Sequence, residues 1–289
     1  MKKLFFIILI IIILLSSLTL VSKAYEERIS LFERSITDKI LAEMIASGEI
    51  PHDTTSLLLS SNLISDLSAL TALTNLQVLN LSNNQISDLT PLTGMTNLRH
   101  LNLLGNPIND IIPLSGLKEL TYLNLSRTQI NDLTPLSGLI NLNELWLFNN
   151  QISNLVPLSR LVNLERLDLG DNQVSDLSPL RGLTNLHWLS FDNNSITDLT
   201  PLRGLSNIRR LRLDENSVSE KQIAELFEIL GLDEGGSRSP LTTTDALAVL
   251  RAVAGLTALT DAESARLGIS GEATTADAIR ILRSVAGLA

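Results

Sequence analysis

The sequence predicts an α/β solenoid, a coil in which each turn contributes one short parallel strand to the same face. One residue pattern recurs at a fixed spacing of 22 residues through the middle of the chain. Each copy contains a Leu-x-Leu segment, which alternates between an inward and an outward side as a short strand does. Hydrophobic residues make up 44% of the 289 residues and aromatic residues only 3%, so aliphatic side chains must fill the core.

The repeat accounts for eight units over residues 54–220, which is the signature of a repeat architecture. An asparagine follows the Leu-x-Leu segment at a fixed position, and we expect its amide to bond the backbone of the turn. Thr128 takes this position in one unit and predicts a local weakness there. The asparagines are Asn62, Asn84, Asn106, Asn150, Asn172, Asn194 and Asn216.

A second part of each unit, Asp-Leu-x-Pro-Leu, predicts a tight helical turn on the side opposite the strand, with the aspartate as its cap. These aspartates are therefore interpreted as structural rather than catalytic. They are Asp66, Asp88, Asp110, Asp132, Asp176 and Asp198.

The repeat resembles the leucine-rich repeats of bacterial surface proteins, of the internalin type in particular. The resemblance implies a right-handed solenoid with its parallel strands on the concave face. Because a solenoid needs polar caps over its ends, we interpret residues 25–53 as a helical N-terminal cap. Residues 219–232 are predicted as a closing helix, and Gly231, Gly235 and Gly236 mark a linker after it.

Composition excludes several classes of function. The net charge of −9 argues against binding to a phosphate backbone, so no nucleic-acid partner is predicted. The absence of cysteine excludes a disulfide framework, thiolate metal sites and cysteine nucleophiles. The three histidines lie far apart, and no glycine-rich phosphate loop, zinc motif or nucleophile elbow occurs. We therefore predict a non-enzymatic protein without a cofactor, apart from the calcium question raised below.

The N-terminal segment predicts export. Two lysines precede an unbroken apolar run over residues 4–15, and Ser22 and Ala24 supply small residues at a cleavage site. Residues 1–24 are therefore predicted to be a signal peptide. An uncleaved membrane anchor is the alternative, because residues 4–21 are barely long enough to span a bilayer. Both interpretations predict a secreted or cell-surface protein, with membrane contact only through an uncleaved N-terminal segment.

The predicted concave face carries both tryptophans of the chain and one of its two tyrosines. Aromatic residues that the core does not need, grouped with arginines, favour a binding surface. The alternative is that they shield neighbouring leucines. A protein ligand or a glycan would suit this face, and the composition leaves the choice open. The candidate contact residues are Tyr122, Trp146, Phe148, Arg166, Asp168, Trp188, Arg210 and Arg212.

A second duplication lies near the C-terminus, where residues 242–256 are nearly repeated at 274–288. Each copy begins with hydroxyl residues that can cap a helix and ends with a glycine where a helix should stop. The sequence therefore predicts a small all-α domain over residues 233–289.

This duplicated segment resembles a dockerin, a module that docks to a cohesin-type scaffold. The resemblance places Asp245 and Asp277 at the last position of two calcium loops, but an arginine lies inside each loop and the other positions offer few oxygen ligands. Weak or absent calcium binding is therefore predicted. The resemblance implies partner contacts at Thr243, Thr244, Arg251, Thr275, Ala276, Arg280 and Arg283.

Two functions remain open from the sequence. In the favoured one, the concave face binds a target and the dockerin-like module attaches the protein to an extracellular cohesin-type scaffold. In the alternative, the protein is an internalin-like adhesin whose C-terminal helices are only structural.

Overall fold

The computed structural model describes residues 28–233, 235, 236 and 267. The predicted signal peptide and almost all of the predicted dockerin-like module lie outside the described residues. The described chain divides into two compact units, with the boundary between Leu123 and Asn124. None of the helices in the described part is long and apolar enough to cross a membrane.

Short strands and 3₁₀ helices alternate along the described chain. The strands are β1 (Arg28–Ser30), β2 (Ser56–Leu58), β3 (Val78–Asn80), β4 (His100–Asn102), β5 (Tyr122–Asn124), β6 (Glu144–Trp146), β7 (Arg166–Asp168), β8 (Trp188–Ser190) and β9 (Arg210–Arg212). The 3₁₀ helices are Ser68–Ala72, Thr90–Leu92, Ile112–Gly116, Thr134–Leu136, Val156–Leu158, Ser178–Leu180 and Thr200–Leu202. Two α-helices, α1 (Asp38–Ala46) and α2 (Glu220–Leu230), lie outside the repeats.

In the first unit, strands β1 to β4 pair in parallel, each with the next along the chain. Leu57, Leu79 and Leu101 lie in register at the middle of successive strands, and each is fully buried. The 22-residue spacing therefore returns the chain to the same register in each repeat. The predicted parallel-strand, leucine-rich coil is confirmed for this unit.

The second unit repeats the arrangement. Strands β6 to β9 are parallel, with Leu145, Leu167, Leu189 and Leu211 in register and buried. The core around them is almost entirely aliphatic, as the composition predicts. Phe191 is the exception within the repeats: it replaces the second leucine of its Leu-x-Leu segment and is fully buried.

Residues 25–53 contain a strand that the sequence analysis did not predict. It expected a helical cap, and α1 lies in this segment, with the Thr37 hydroxyl accepting from Ile40 N at its start. The segment also holds β1, which pairs in parallel with β2. A three-residue strand that includes Arg28 and Ser30 is too short and polar for its alternation to stand out in the sequence. By pairing with β2 it satisfies that strand's outer backbone groups.

The repeated asparagines bond the turn backbone, as predicted. The Asn84 side chain accepts from Ile64 N at 3.1 Å and donates to the carbonyls of Leu59 and Leu81, both at 2.9 Å. All of these atoms are buried, where an unpaired backbone group costs about 1–3 kcal/mol. Each asparagine thus satisfies backbone groups of its own repeat and of the preceding one.

Thr128 makes fewer bonds than the asparagines. Its hydroxyl is 2.9 Å from Leu125 O and 2.7 Å from Asn150 Oδ1. In the preceding repeats the backbone N–H of the isoleucine donates to an asparagine side chain, as Ile86 N does to Asn106. Ile108 N donates to the backbone carbonyl of Asn106 at 2.8 Å. A hydroxyl is too short to reach the groups that a carboxamide reaches in the other repeats. The boundary between the two compact units falls in this repeat.

The repeated aspartates have the structural role that the sequence predicts. Asp132 Oδ1 accepts from Thr134 N at 2.8 Å at the start of a 3₁₀ helix, and Asp176 accepts from Ser178 N at the same distance. Hydrogen bonds from the residue two places on, including its hydroxyl, lower the pKa of both aspartates. One oxygen of each carboxylate is therefore already used within the turn.

The last repeat is followed by a well-capped helix. Ser219 and Gln222 form a reciprocal capping box at the start of α2, and Gly231 ends it in a left-handed conformation. Beyond it, Gly236 O accepts from Leu211 N at 2.8 Å, so the backbone at residue 236 lies against β9. The predicted linker glycine is therefore a packed residue, and a Cβ at position 236 would lie only 2.1 Å from Leu211 O.

Candidate binding face

The strand face is defined as the side chains at the first and third residues of each strand and two residues beyond it. In the second unit these positions form three rows. The first row is Glu144, Arg166, Trp188 and Arg210; the second is Trp146, Asp168, Ser190 and Arg212; the third is Phe148, Gly170, Asp192 and Asp214.

The two tryptophans meet on this face. The rings of Trp146 and Trp188 have centroids 5.1 Å apart and are tilted by 42°, although β7 lies between their strands. Both side chains are half-buried. Tilted aromatic pairs at this separation are mutually attractive, and they present a broad apolar surface.

Phe148 extends the same apolar surface. A Cβ on Gly170 would lie 3.1 Å from a ring carbon of Phe148, so the glycine leaves the space that the ring occupies. On its other side, the guanidinium of Arg127 lies 5.8 Å from the ring centroid, within the range of a cation–π contact. The aromatic cluster, meaning Trp146, Phe148 and Trp188, is therefore supported by its neighbours.

Trp146 replaces a residue that supports the turn in other repeats. At the equivalent position, Asn80 accepts from Ser82 N, and Asn124 accepts from Ser126 N. Trp146 cannot accept such a bond, and its Nε1 is buried without a hydrogen-bond partner among the described residues. The repeat thus gives up local stability for an aromatic surface, which is typical of functional positions.

Two ion pairs lie on the same face as the aromatic cluster. Arg166 lies 3.5 Å from Glu144 in the first row, and Arg212 lies 2.6 Å from Asp192 at the opposite end of the face. Arg210 and Asp214 are exposed and make no ion pair with another residue of the described part. The face therefore has both neutralised and available charges.

Asp168 lies at the centre of the face, and its carboxylate accepts hydrogen bonds from neighbouring residues of the fold. Burial raises its pKa, although hydrogen bonds from Gly170 and Ser190 and the charge of Arg212 oppose the shift. Burial also raises the pKa of Asp192, with Arg212 again opposing. Asp168 therefore positions its neighbours more than it presents a free carboxylate.

Tyr122 lies outside the unit that holds the aromatic cluster, and its role in partner binding stays a prediction. It belongs to the first unit, where its ring stacks on His100 with centroids 3.9 Å apart and an interplanar angle of 4°. The candidate residues that the structure brings together are Trp146, Phe148, Arg166, Asp168, Trp188, Arg210 and Arg212, all in the second unit.

Several supporting residues of the face were not predicted from the sequence. Glu144, Asp192 and Arg127 pair with candidate residues, and Gly170 makes room for Phe148. The signal was available in part: Glu144 and Asp192 occupy outward positions of the 22-residue pattern. Arg127 lies in the turn, where the alternation of the strand no longer indicates direction.

No group of three or more His, Asp or Glu side chains that could hold a metal ion occurs among the residues described. The predicted calcium positions, Asp245 and Asp277, lie outside them. So do the predicted dockerin-like contacts, Thr243, Thr244, Arg251, Thr275, Arg280 and Arg283.

The comparisons agree with this architecture. A family model that describes two consecutive leucine-rich repeats matches three segments of the chain, residues 55–94, 96–138 and 140–182. Internalin C2 from Listeria monocytogenes is 35% identical, with 64% of this chain and 79% of that chain covered and a TM-score of 0.59. A leucine-rich repeat protein from Leptospira interrogans is 32% identical, with coverages of 61% and 47% and a TM-score of 0.58. No curated protein matches.

A plant peptide hormone receptor, RGFR1 in complex with RGF2, shares the fold at 23% identity, with coverages of 62% and 31% and a TM-score of 0.54. The chain belongs to the leucine-rich repeat family. Its structural neighbours include internalins, and proteins of this class are typically non-enzymatic binding proteins.

Proposed function

We propose that this chain is a secreted or surface-displayed adhesin-like protein, in which the strand face of the second unit binds a protein partner through the aromatic cluster. Leucine-rich repeat domains generally bind protein ligands, and the internalin-like neighbours favour an adhesin-like role. Fold alone does not choose a ligand, so the proposal depends on the face itself.

The observation that carries the proposal is the placement of both tryptophans. The repeat core is built of aliphatic side chains, so it does not require Trp146 or Trp188. They nevertheless lie together on one face. Trp146 cannot make the bond that supports the turn in other repeats, and its indole N–H is buried without a hydrogen-bond partner among the described residues. Tryptophan and arginine are the residues most enriched at interface hot spots, and Arg166, Arg210 and Arg212 surround this pair.

The experiment is capture of partners by the full chain from culture supernatant and from isolated cell surfaces, with a glycan array in parallel. Substituting Trp146→Ala and Trp188→Ala together should abolish protein capture while the melting curve changes little. Val156→Ala is the matched control, because Val156 is exposed at the start of a 3₁₀ helix in the same unit. Capture that survives the tryptophan substitutions, or binding only to glycans, would contradict the proposal.

We further propose that residues 233–289 dock the protein to a cohesin-type scaffold with little or no dependence on calcium. The support is the duplicated helical sequence and the small number of oxygen ligands in its loops. In the full chain, Arg251→Glu with Arg283→Glu should abolish capture by a cohesin domain and leave partner capture by the strand face intact. If no cohesin is captured with calcium or with chelator, the C-terminal segment has only a structural role.

A further inference from the structure

The charges of the strand face differ in what they leave available to a partner. Arg166 and Glu144 neutralise one another at 3.5 Å, and Arg212 and Asp192 do so at 2.6 Å. Such pairs add little to binding, because each charge already has a counter-ion.

Two exposed charges of this face take no part in these ion pairs, although Asp214 N donates to Asp192 Oδ1 at 3.1 Å. Arg210 is exposed in the first row and Asp214 is exposed in the third, and neither makes an ion pair with a residue in the described ranges. Asp214 follows Arg210 by four positions, which corresponds to roughly 13 Å in extended chain. The face therefore presents a positive charge at one end of β9 and a negative charge beyond its other end.

The negative end is reinforced by its surroundings. Asp171 and Glu215 lie in the turns that follow β7 and β9, at equivalent positions of the repeat. Burial is the largest cause that raises the pKa of Asp192, the charge of Arg212 lowers it, and the carboxylates of Asp214 and Asp168 add smaller upward shifts.

An apolar surface lies beside this pair of charges. Trp188 is the register neighbour of Arg210, and its ring leans toward Trp146 across β7. A partner that uses both charges therefore has an aromatic surface alongside it.

We infer that the strand face of the second unit recognises an extended protein segment carrying an acidic and a basic side chain four residues apart, with the acidic end next to Trp188. In extended chain, residues i, i+2 and i+4 point to the same side and span roughly 13 Å. The acidic side chain pairs with Arg210, beside Trp188, and the basic one pairs with Asp214. This inference rests on the proposed function and adds the chemistry of the partner.

A neutral glycan could stack on the tryptophans but would leave both charges without a counter-ion. A segment with two like charges would satisfy one site and be repelled by the other. Both sites are therefore used only by a partner of mixed charge, and this favours a protein segment over a neutral sugar.

The test uses three capped pentapeptides with Leu at the centre and Ser on each side of it. The terminal positions are Glu and Lys in the first peptide, Glu and Glu in the second, and Lys and Lys in the third. Binding to the full chain is measured by tryptophan fluorescence, because both tryptophans of the chain lie on this face. The mixed peptide should bind about threefold to fivefold more tightly than either of the others, as expected for exposed ion pairs.

Substitution should change the preference predictably. Arg210→Glu should favour the Lys-Lys peptide, and Asp214→Lys should favour the Glu-Glu peptide. Arg209→Glu is the matched control, because it makes the same charge change one residue before β9 and outside the strand face. It should leave the order of the three peptides unchanged.

The inference is overturned if the three peptides bind equally, if none changes the fluorescence in a saturable way, or if Arg209→Glu alters the preference as much as Arg210→Glu. These outcomes differ from failure of the proposed function. In that case partner capture by the full chain would survive loss of Trp146 and Trp188, whatever the peptides do.

Discussion

Replacing Asn84 by Ala tests the claim that the repeated asparagines hold the coil together. The structure shows which backbone groups would lose partners. Leu59 O also accepts from Asn62, at 3.0 Å, and Leu81 O also accepts from Asn106, at 2.9 Å. Ile64 N donates to Asn84, so it is the group left without its acceptor.

The expected cost follows from this difference. An orphaned buried N–H costs about 1–3 kcal/mol, and each lost bond to a carbonyl that keeps another donor costs about 0.5 kcal/mol. The free energy of unfolding should therefore fall by about 2–4 kcal/mol. Thr128→Ala should cost only about 1 kcal/mol, because Leu125 O still accepts from Asn150 and no N–H is orphaned.

The assay is urea unfolding of the full chain, followed by far-ultraviolet circular dichroism. Asn97→Ala is the control, because Asn97 is exposed and its side chain makes one bond, to Thr74 O. The control should be nearly neutral. If Thr128→Ala or Asn97→Ala destabilised the protein as much as Asn84→Ala, the backbone-satisfaction argument would be refuted.

Three further predictions concern the backbone and the buried carboxylate. Glu215 has a φ of +56°, and Gly105 occupies the equivalent position of another repeat. Glu215→Gly should therefore raise stability by up to about 1 kcal/mol in thermal unfolding, because the relief of strain exceeds the gain in unfolded-state freedom. An unchanged or lower melting temperature would contradict this. Gly236→Ala should destabilise by roughly 1–3 kcal/mol and speed hydrogen exchange at Leu211 N, because its Cβ would contact Leu211 O; unchanged exchange would contradict this packing. Asp168→Asn should be neutral or stabilising at pH 7, because Asn serves at the equivalent positions 80 and 124. The raised folded-state pKa of Asp168 disfavours the charged form at neutral pH, so wild type regains that stability as pH falls through this pKa. The difference in the free energy of unfolding between Asp168→Asn and wild type should therefore shrink toward acidic pH in urea unfolding. A difference that grows would show that the carboxylate is stabilising.

Much of the fold could be predicted from the sequence, because the repeat constrains every unit in the same way. Leu57 and Leu79 are buried and alternate with half-buried neighbours, and a fixed period places them in register. Asn84 follows at the turn, where its amide is the group best suited to bond both donors and acceptors. Where the repeat is absent the prediction is weaker. β1 has no pattern of its own, and its pairing depends on the edge of β2.

The candidate face could be predicted only in part. Alternation along each strand places Trp146 and Trp188 on the same side, but it does not give the direction in which each ring leans. Their contact across β7 depends on the tertiary structure. The hydrogen bonds of Asp168 with Gly170 and Ser190 depend on it too. The stacking of Tyr122 on His100 likewise depends on side-chain conformation, which spacing in the sequence does not specify.

The central claim is that Trp146 and Trp188 form a partner-binding surface on the strand face of the second unit. The most direct measurement is the dissociation constant of the captured partner for wild type, Trp188→Ala and Val156→Ala. A buried aromatic hot spot contributes about 2 kcal/mol or more, so Trp188→Ala should weaken binding roughly 30-fold, with Val156→Ala close to wild type. Equal affinities of Trp188→Ala and wild type would contradict the claim.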